Sequence, residues 1–150
     1  MKRFFLLTGF SCLVLLTSLS SFAPVTDSLT SDVLSYTNKF RKSKKMGELT
    51  MNEGLNAIAK KHSEDMAKGK VGFGHGGFNK RFDLARKKVQ GVTTFAENVA
   101  YGVETGKEVV DMWKKSSGHR KNMLGHFKYI GIGTAKDRNG RIYYTQVFAN

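Results

Sequence analysis

Cysteine and proline are nearly missing from this chain, with one of each in 150 residues. The only cysteine, Cys12, lies in an apolar stretch near the N-terminus. The rest of the chain has no thiol and cannot form a disulfide, even in a compartment that permits one. As a lipid-attachment site Cys12 is poorly framed, because Gly9 stands where a leucine is usual and the apolar run before it is short. Acidic side chains are also scarce: 12 Asp and Glu face 25 Lys and Arg, for a net charge of +13. No stripe of aromatics interleaves with the basic residues, so a nucleic-acid module is not supported. There is no Gly-x-Ser-x-Gly segment, and covalent catalysis from a nucleophile elbow is not supported either. Repeats and low-complexity segments are absent.

What is present begins with a targeting pattern. Met1-Lys2-Arg3 is a short basic start, and Phe4 to Leu19 is nearly all apolar or small. Ser21-Phe22-Ala23 offers small residues two apart, as a signal peptidase requires. The expected division is a signal peptide over 1–23, a lead-in over 24–30 and one domain over 31–150. Pro24 would then be the first mature residue, which is awkward for cleavage and allows the cut to fall a residue or two away. As a membrane anchor the run is short of the roughly 20 residues needed, and Thr8, Ser11, Thr17 and Ser18 interrupt it. The protein is therefore expected to be secreted or held in the cell envelope, with no membrane span in its mature part. Its spread positive charge suits either a solvated surface or an anionic partner.

Local patterns give the elements. Val33, Tyr36, Thr37 and Phe40 recur with a helical period behind a cap at Thr30 or Ser31. Leu49 is the inward residue of the following connection. Asn52 caps a second helix, with Leu55, Ile58, Ala59, His62 and Met66 on one face, and Gly69 ends it. His62 is expected to be a packed histidine with one satisfied hydrogen bond. A short helix follows over 79–88. Thr105-Gly106-Lys107-Glu108 has the form of a capping box, and Val109, Met112 and Trp113 are expected inward. Gly118 is expected to break that helix. Tyr129–Ala135 and Ile142–Phe148 form a hairpin around Asn139-Gly140. Gly131 and Gly133 share a face that can admit a helix closely, while Ile130 and Ile132 line the other.

The chemistry-bearing side chains lie between these elements. His75 sits in the glycine-rich run 72–77, and Glu97 and His119 are each expected in a small-residue turn. Two imidazoles and a carboxylate are a set for metal ligation or acid–base work. Glu97 stands among Phe95, Ala96, Val99 and Ala100, so if buried it needs a partner.

Six segments stand in order along the chain: Leu55-x-x-Ile58-Ala59-x-x-His62-Ser63-x-Asp65-Met66, Phe73-Gly74-His75, Ala96-Glu97-Asn98-Val99-Ala100-x-Gly102, Trp113-x-x-Ser116-x-Gly118-His119-Arg120-x-Asn122-Met123-Leu124, Ile130-Gly131-Ile132-Gly133 and Tyr144-Thr145-Gln146-Val147-Phe148. Together they resemble the CAP superfamily, or SCP domain: cysteine-rich secretory proteins, antigen 5 and pathogenesis-related 1 proteins. The match is closest to the bacterial, cysteine-free branch and runs from about Ser31 to Phe148. The resemblance implies an α+β fold, an α–β–α sandwich with a central antiparallel sheet and a cleft on one side. In the family that cleft holds two histidines and two acids, which bind a divalent metal in some members. His75, Glu97 and His119 match three of these positions. Ser116 takes the place of the second acid, with Asn98 and Asn122 as supporting residues.

Two functions follow as expectations. The first is a secreted binding module with a His/Glu cleft for an anionic cell-wall polymer, a lipid or a protein. The alternative is a divalent-metal-dependent, protease-like hydrolase. There His75 and His119 would hold Zn²⁺ or another imidazole-favouring ion, and Glu97 would be the third ligand or the general base.

Overall fold

The computed structural model describes residues 28–150, so the expected signal segment and residues 24–27 of the lead-in lie outside the described residues. Helix α1 spans Ser28–Ser43 and is followed by the two-residue strand β1, Thr50–Met51. Helices α2, Glu53–Ala67, and α3, Phe78–Lys88, flank the glycine-rich loop. Strand β2, Phe95–Tyr101, leads to α4, Gly106–Lys115, and α5, Ser117–Met123. Strands β3, Tyr129–Lys136, and β4, Ile142–Ala149, complete the chain.

Caps and turns set most of these boundaries. The Asn52 side chain accepts the Leu55 amide at 3.1 Å, and the chain leaves α2 through Gly69 at φ +66°. Thr105 and Glu108 close the expected capping box at the start of α4. In the β3–β4 turn, Asp137 Oδ1 accepts the Asn139 and Arg141 amides, and Gly140 takes φ +79°. Four details differ from the sequence reading. Thr30 and Ser31 lie inside α1 rather than capping it. Met112 is 38% exposed and Val110 takes the inward position beside Val109 and Trp113. The break after α4 falls at Ser116, and Gly118 lies inside α5. Glu97 and His119 stand on β2 and α5, not in turns.

The strands form one sheet in the order β1-β3-β4-β2, antiparallel except where β1 runs parallel to β3. Successive side chains alternate between its faces. Ile130, Ile132, Tyr144 and Phe148 pack with Val33, Val109, Val110 and Trp113 on the α1/α4 side. Val147 and Ala149 pack with Leu55, Ile58, Ala59 and Ala85 on the α2/α3 side. The bare strip left by Gly131 and Gly133 is where α2 lies. A Cβ on Gly131 would come within 2.3 Å of the Leu55 carbonyl carbon, and one on Gly133 within 2.0 Å of the Lys60 nitrogen. Ser63 Oγ locks this contact, donating its hydrogen to Gly133 O at 2.9 Å and lying in hydrogen-bond contact with Thr145 Oγ1 at 2.8 Å.

The outer edge of β2 is covered rather than left open. Trp113 Nε1 donates to Val99 O at 3.2 Å and Asn122 Nδ2 to Glu97 O at 3.0 Å. Helices α4 and α5 thereby occupy the place of a further strand, which blunts a pairing edge. Buried Arg41 ties α5 to α1. Its Nη1 donates to Met123 O at 2.7 Å and Gly125 O at 2.9 Å, and its Nε to Gly47 O at 2.7 Å.

Candidate functional site

Glu97 is buried on the α2/α3 face of β2, and the partner its burial requires is Arg81. Arg81 stands one turn before Ala85 on α3, so both face the sheet. Its Nε donates to Glu97 Oε2 at 2.6 Å and its Nη2 to Oε1 at 2.7 Å, a two-pronged guanidinium–carboxylate pair. The same guanidinium reaches the glycine-rich loop, with Nη1 donating to Gly76 O at 2.7 Å and Nη2 near His75 O at 3.4 Å. The sequence reading did not single out Arg81. Its signal was the pairing of a carboxylate that needs a partner with a basic residue on the Ala85 face of the next helix.

His75 completes the coordination of the carboxylate, donating Nδ1–H to Glu97 Oε1 at 2.8 Å. With its proton held at Nδ1, a neutral His75 ring has its lone pair at Nε2, and its side chain is 51% exposed. Behind it, His62 is buried and donates Nε2–H to Gly74 O at 2.9 Å, the single satisfied bond expected of a packed histidine. Its Nε2 lies 4.0 Å from Glu97 Oε1. Gly74 has φ +138°, a conformation that side-chain-bearing residues avoid, so the loop can turn its carbonyl to His62.

His119 lies around the β2 edge. Asn98, next to Glu97 in the strand, points to the opposite face, and its Nδ2 donates to His119 O at 3.2 Å and Gln146 Oε1 at 3.1 Å. Asn122 Nδ2 donates to Asn98 Oδ1 at 2.9 Å, and Gln146 Nε2 donates to Thr37 Oγ1 at 2.9 Å. Asn98 and Asn122, which the sequence suggests as supporting residues, are bonded to each other here, and Gln146 and Thr37 extend that chain without a signal in the sequence. The His119 ring tilts against Trp113 at 6.4 Å between centroids, and its Nδ1 is buried with no hydrogen-bond partner. Ser116 occupies the N-cap of α5 without a side-chain capping bond.

Both Glu97 oxygens are engaged by Arg81 and His75, and the His119 nitrogen without a partner is buried. Among the described residues no group of three or more His, Cys, Asp or Glu side chains is arranged to hold an ion. The chemistry on offer is that of an imidazole oriented by a carboxylate, beside a loop pinned at three of its carbonyls.

Burial pushes the His62 and His119 imidazoles below their ordinary value of 6.5, and the neighbouring His75 charge lowers His119 further. Each ring is thus held neutral in the fold, and on acidification the unfolded chain takes up the proton first. Their contribution to stability is complete above 6.5 and is lost as pH falls toward the depressed values. In an NMR titration, the Cε1–H resonances of both residues are expected to show midpoints below 6.5. A midpoint at or above that value for either ring would contradict its burial.

The layer order, with α1 and α4 on one face of the sheet and α2 and α3 on the other, is that of an SCP-type α–β–α sandwich. The chain belongs to the cysteine-rich secretory protein (CAP) family, whose model matches residues 34–148. The uncharacterized protein YkwD of Bacillus subtilis (strain 168) is 36% identical over 104 residues, which are 67% of this chain and 40% of that protein. An extracellular protein containing a SCP domain from Bacillus anthracis str. Ames is 25% identical with TM-score 0.71, over 82% of this chain and 40% of that one. The chain thus spans less than half the length of either protein. An outer surface protein from Borrelia burgdorferi shares the fold at TM-score 0.73 and 20% identity, over 83% of this chain and 94% of that one. Among the described residues no helix is long and apolar enough to cross a membrane.

Proposed function

We propose that this chain acts outside the cell as a binding module whose His75–Glu97–Arg81 cluster shapes a recognition surface, and not as a hydrolase. The observation that carries this reading is the two-pronged hold of Arg81 on Glu97. A general base needs a free lone pair aimed at a water or substrate proton. Here the carboxylate oxygens face a guanidinium and an imidazole N–H inside the protein. The cluster fixes His75 and the loop that carries it, which is the work of a scaffold under a binding surface. The extracellular relative from Bacillus anthracis supports a location beyond the membrane.

The rival reading, a metal-dependent hydrolase on His75, Glu97 and His119, asks a carboxylate that already accepts three N–H bonds to serve an ion or a water as well. Zn²⁺ titration by calorimetry, beside a His75→Ala/His119→Ala variant, separates the two. The binding-module reading expects no stoichiometric heat that depends on these histidines, and no cleavage of a peptide library with or without Zn²⁺. A one-to-one heat lost in the variant, together with metal-dependent cleavage, would overturn it.

A further inference from the structure

One end of the molecule carries an exposed aromatic cluster that the site above does not use. Phe73, from the glycine-rich loop, is 51% exposed, and Tyr101, at the end of β2, is 45% exposed. Phe73 meets Tyr101 edge-on at 4.7 Å between ring centroids and Tyr143 at 6.5 Å. Tyr101 and Tyr143, opposite each other in the β2–β4 register, stack at 5.4 Å and 17°. Exposed rings in contact are uncommon on a solvated surface and mark a place where something else packs.

The surroundings are cationic. Tyr143 is in register with Ala135 on β3, and the next residue, Lys136, lines a groove of about 610 Å³ between the end of α2 and the hairpin turn. Arg138 lines the same groove, and neither Lys136 nor Arg138 has an ion-pair partner among the described residues. Exposed Lys70 adds a third cation on the loop that leads to Phe73. The acid in the turn, Asp137, is turned inward to the Asn139 and Arg141 amides and to the Arg141 guanidinium. Positive charge and the aromatic cluster thus lie at the same end of the molecule: Lys136 follows Ala135, the register neighbour of Tyr143, and Lys70 stands three residues before Phe73.

We propose that this end of the molecule binds an acidic glycan. A pyranose lays its C–H face on an aromatic ring and uses its hydroxyls at the polar rim that tyrosine provides. Lys136, Arg138 and Lys70 meet the carboxylates along the sugar chain. A single-stranded nucleic acid fits less well. It needs separate faces for successive bases, and these three rings cover one another. The inference rests on the binding-module reading and names the ligand class.

The probe is a hyaluronan hexasaccharide, with an N-acetylglucosamine hexamer as the uncharged sugar and a thymidine dodecamer as the nucleic acid. Binding is followed by ¹H–¹⁵N shift mapping on the full folded domain. The acidic sugar is expected to shift Phe73, Tyr101 and Tyr143, and to bind at least about tenfold more tightly than the uncharged one, with weakening as salt is raised. Lys136→Glu/Arg138→Glu, at two exposed positions that leave the fold unchanged, is expected to weaken it by about tenfold or more. Tyr101→Ser should weaken it by several-fold. No shifts at the three rings, shifts confined to lysines elsewhere, or a preference for the thymidine dodecamer would each overturn the proposal. None of those results would restore a hydrolase, which the peptide-cleavage assay decides independently.

Discussion

Replacing Arg81 by methionine is expected to lower the stability of the domain by about 3–5 kcal/mol, since it strands a buried carboxylate without its cation. For a domain of this size that is a fall in Tm of roughly 10–20 °C. Glu97 has a fully buried side chain and Arg81 one that is 10% exposed, so solvent cannot replace the lost partner. The loss also frees the carbonyls of His75 and Gly76, which loosens the glycine-rich loop. The double variant Arg81→Met/Glu97→Leu is expected to recover at least half of the deficit, because removing both charges together also removes their desolvation cost. Urea denaturation of the two single variants and the double variant measures this. A loss below about 1 kcal/mol for Arg81→Met would show that the pair contributes little to the fold. The support for a non-catalytic role of Glu97 would go with it.

The second large effect is expected at Gly133. An alanine there places its Cβ 2.0 Å from the Lys60 nitrogen, 2.3 Å from Lys60 Cα and 2.4 Å from the Ala59 carbonyl carbon. All of these are backbone atoms of α2, so no side-chain rotation relieves the overlap. The helix must lift, which breaks the Ser63 bonds to Gly133 O and Thr145 Oγ1 and opens the packing around Leu55 and Ile58. Overpacking of this kind costs typically 1–3 kcal/mol, and a backbone clash belongs at the upper end, at about 3 kcal/mol or more. Gly47→Ala is the control. A Cβ there meets nothing within 4 Å, so the change should be neutral or slightly stabilising. Equal stability of the two variants in thermal denaturation would mean that α2 does not need the bare strip.

The elements that are legible in the sequence are those fixed by nearby residues. Asn52, Thr105 with Glu108, and Asn139-Gly140 act within a few positions of themselves, and the structure keeps all three. Gly131 and Gly133 can be read because a strand's period of two puts them on one face. Strand β2 is harder. Glu97 to Ala100 are all buried, so the segment shows no alternation of apolar and polar residues. Its two faces are filled by a clamped carboxylate and a bonded amide, a pattern that resembles a turn. His119 reads as following a helix break because Gly118 normally disfavours helix, but α5 is held by Arg41 and the Asn side chains and tolerates it. Arg81 is masked for a different reason. It sits among Lys80, Arg86, Lys87 and Lys88, and only its distant meeting with Glu97 sets it apart from that solvated charge. The aromatic cluster is hidden likewise, since Phe73, Tyr101 and Tyr143 come from three separate segments.

The amides of half-buried Asn122 and of buried Asn98 and Gln146 form a one-way chain. Thr37 Oγ1 gives its hydrogen to Val33 O at 2.7 Å, so it can only receive from Gln146, which in turn receives from Asn98, which receives from Asn122. No member can be inverted alone. Spontaneous deamidation of Asn98 would place an oxygen against His119 O and Gln146 Oε1, turning two attractions into repulsions at once. The fold thus depends on this amide staying intact, and on the tight packing that keeps water from it.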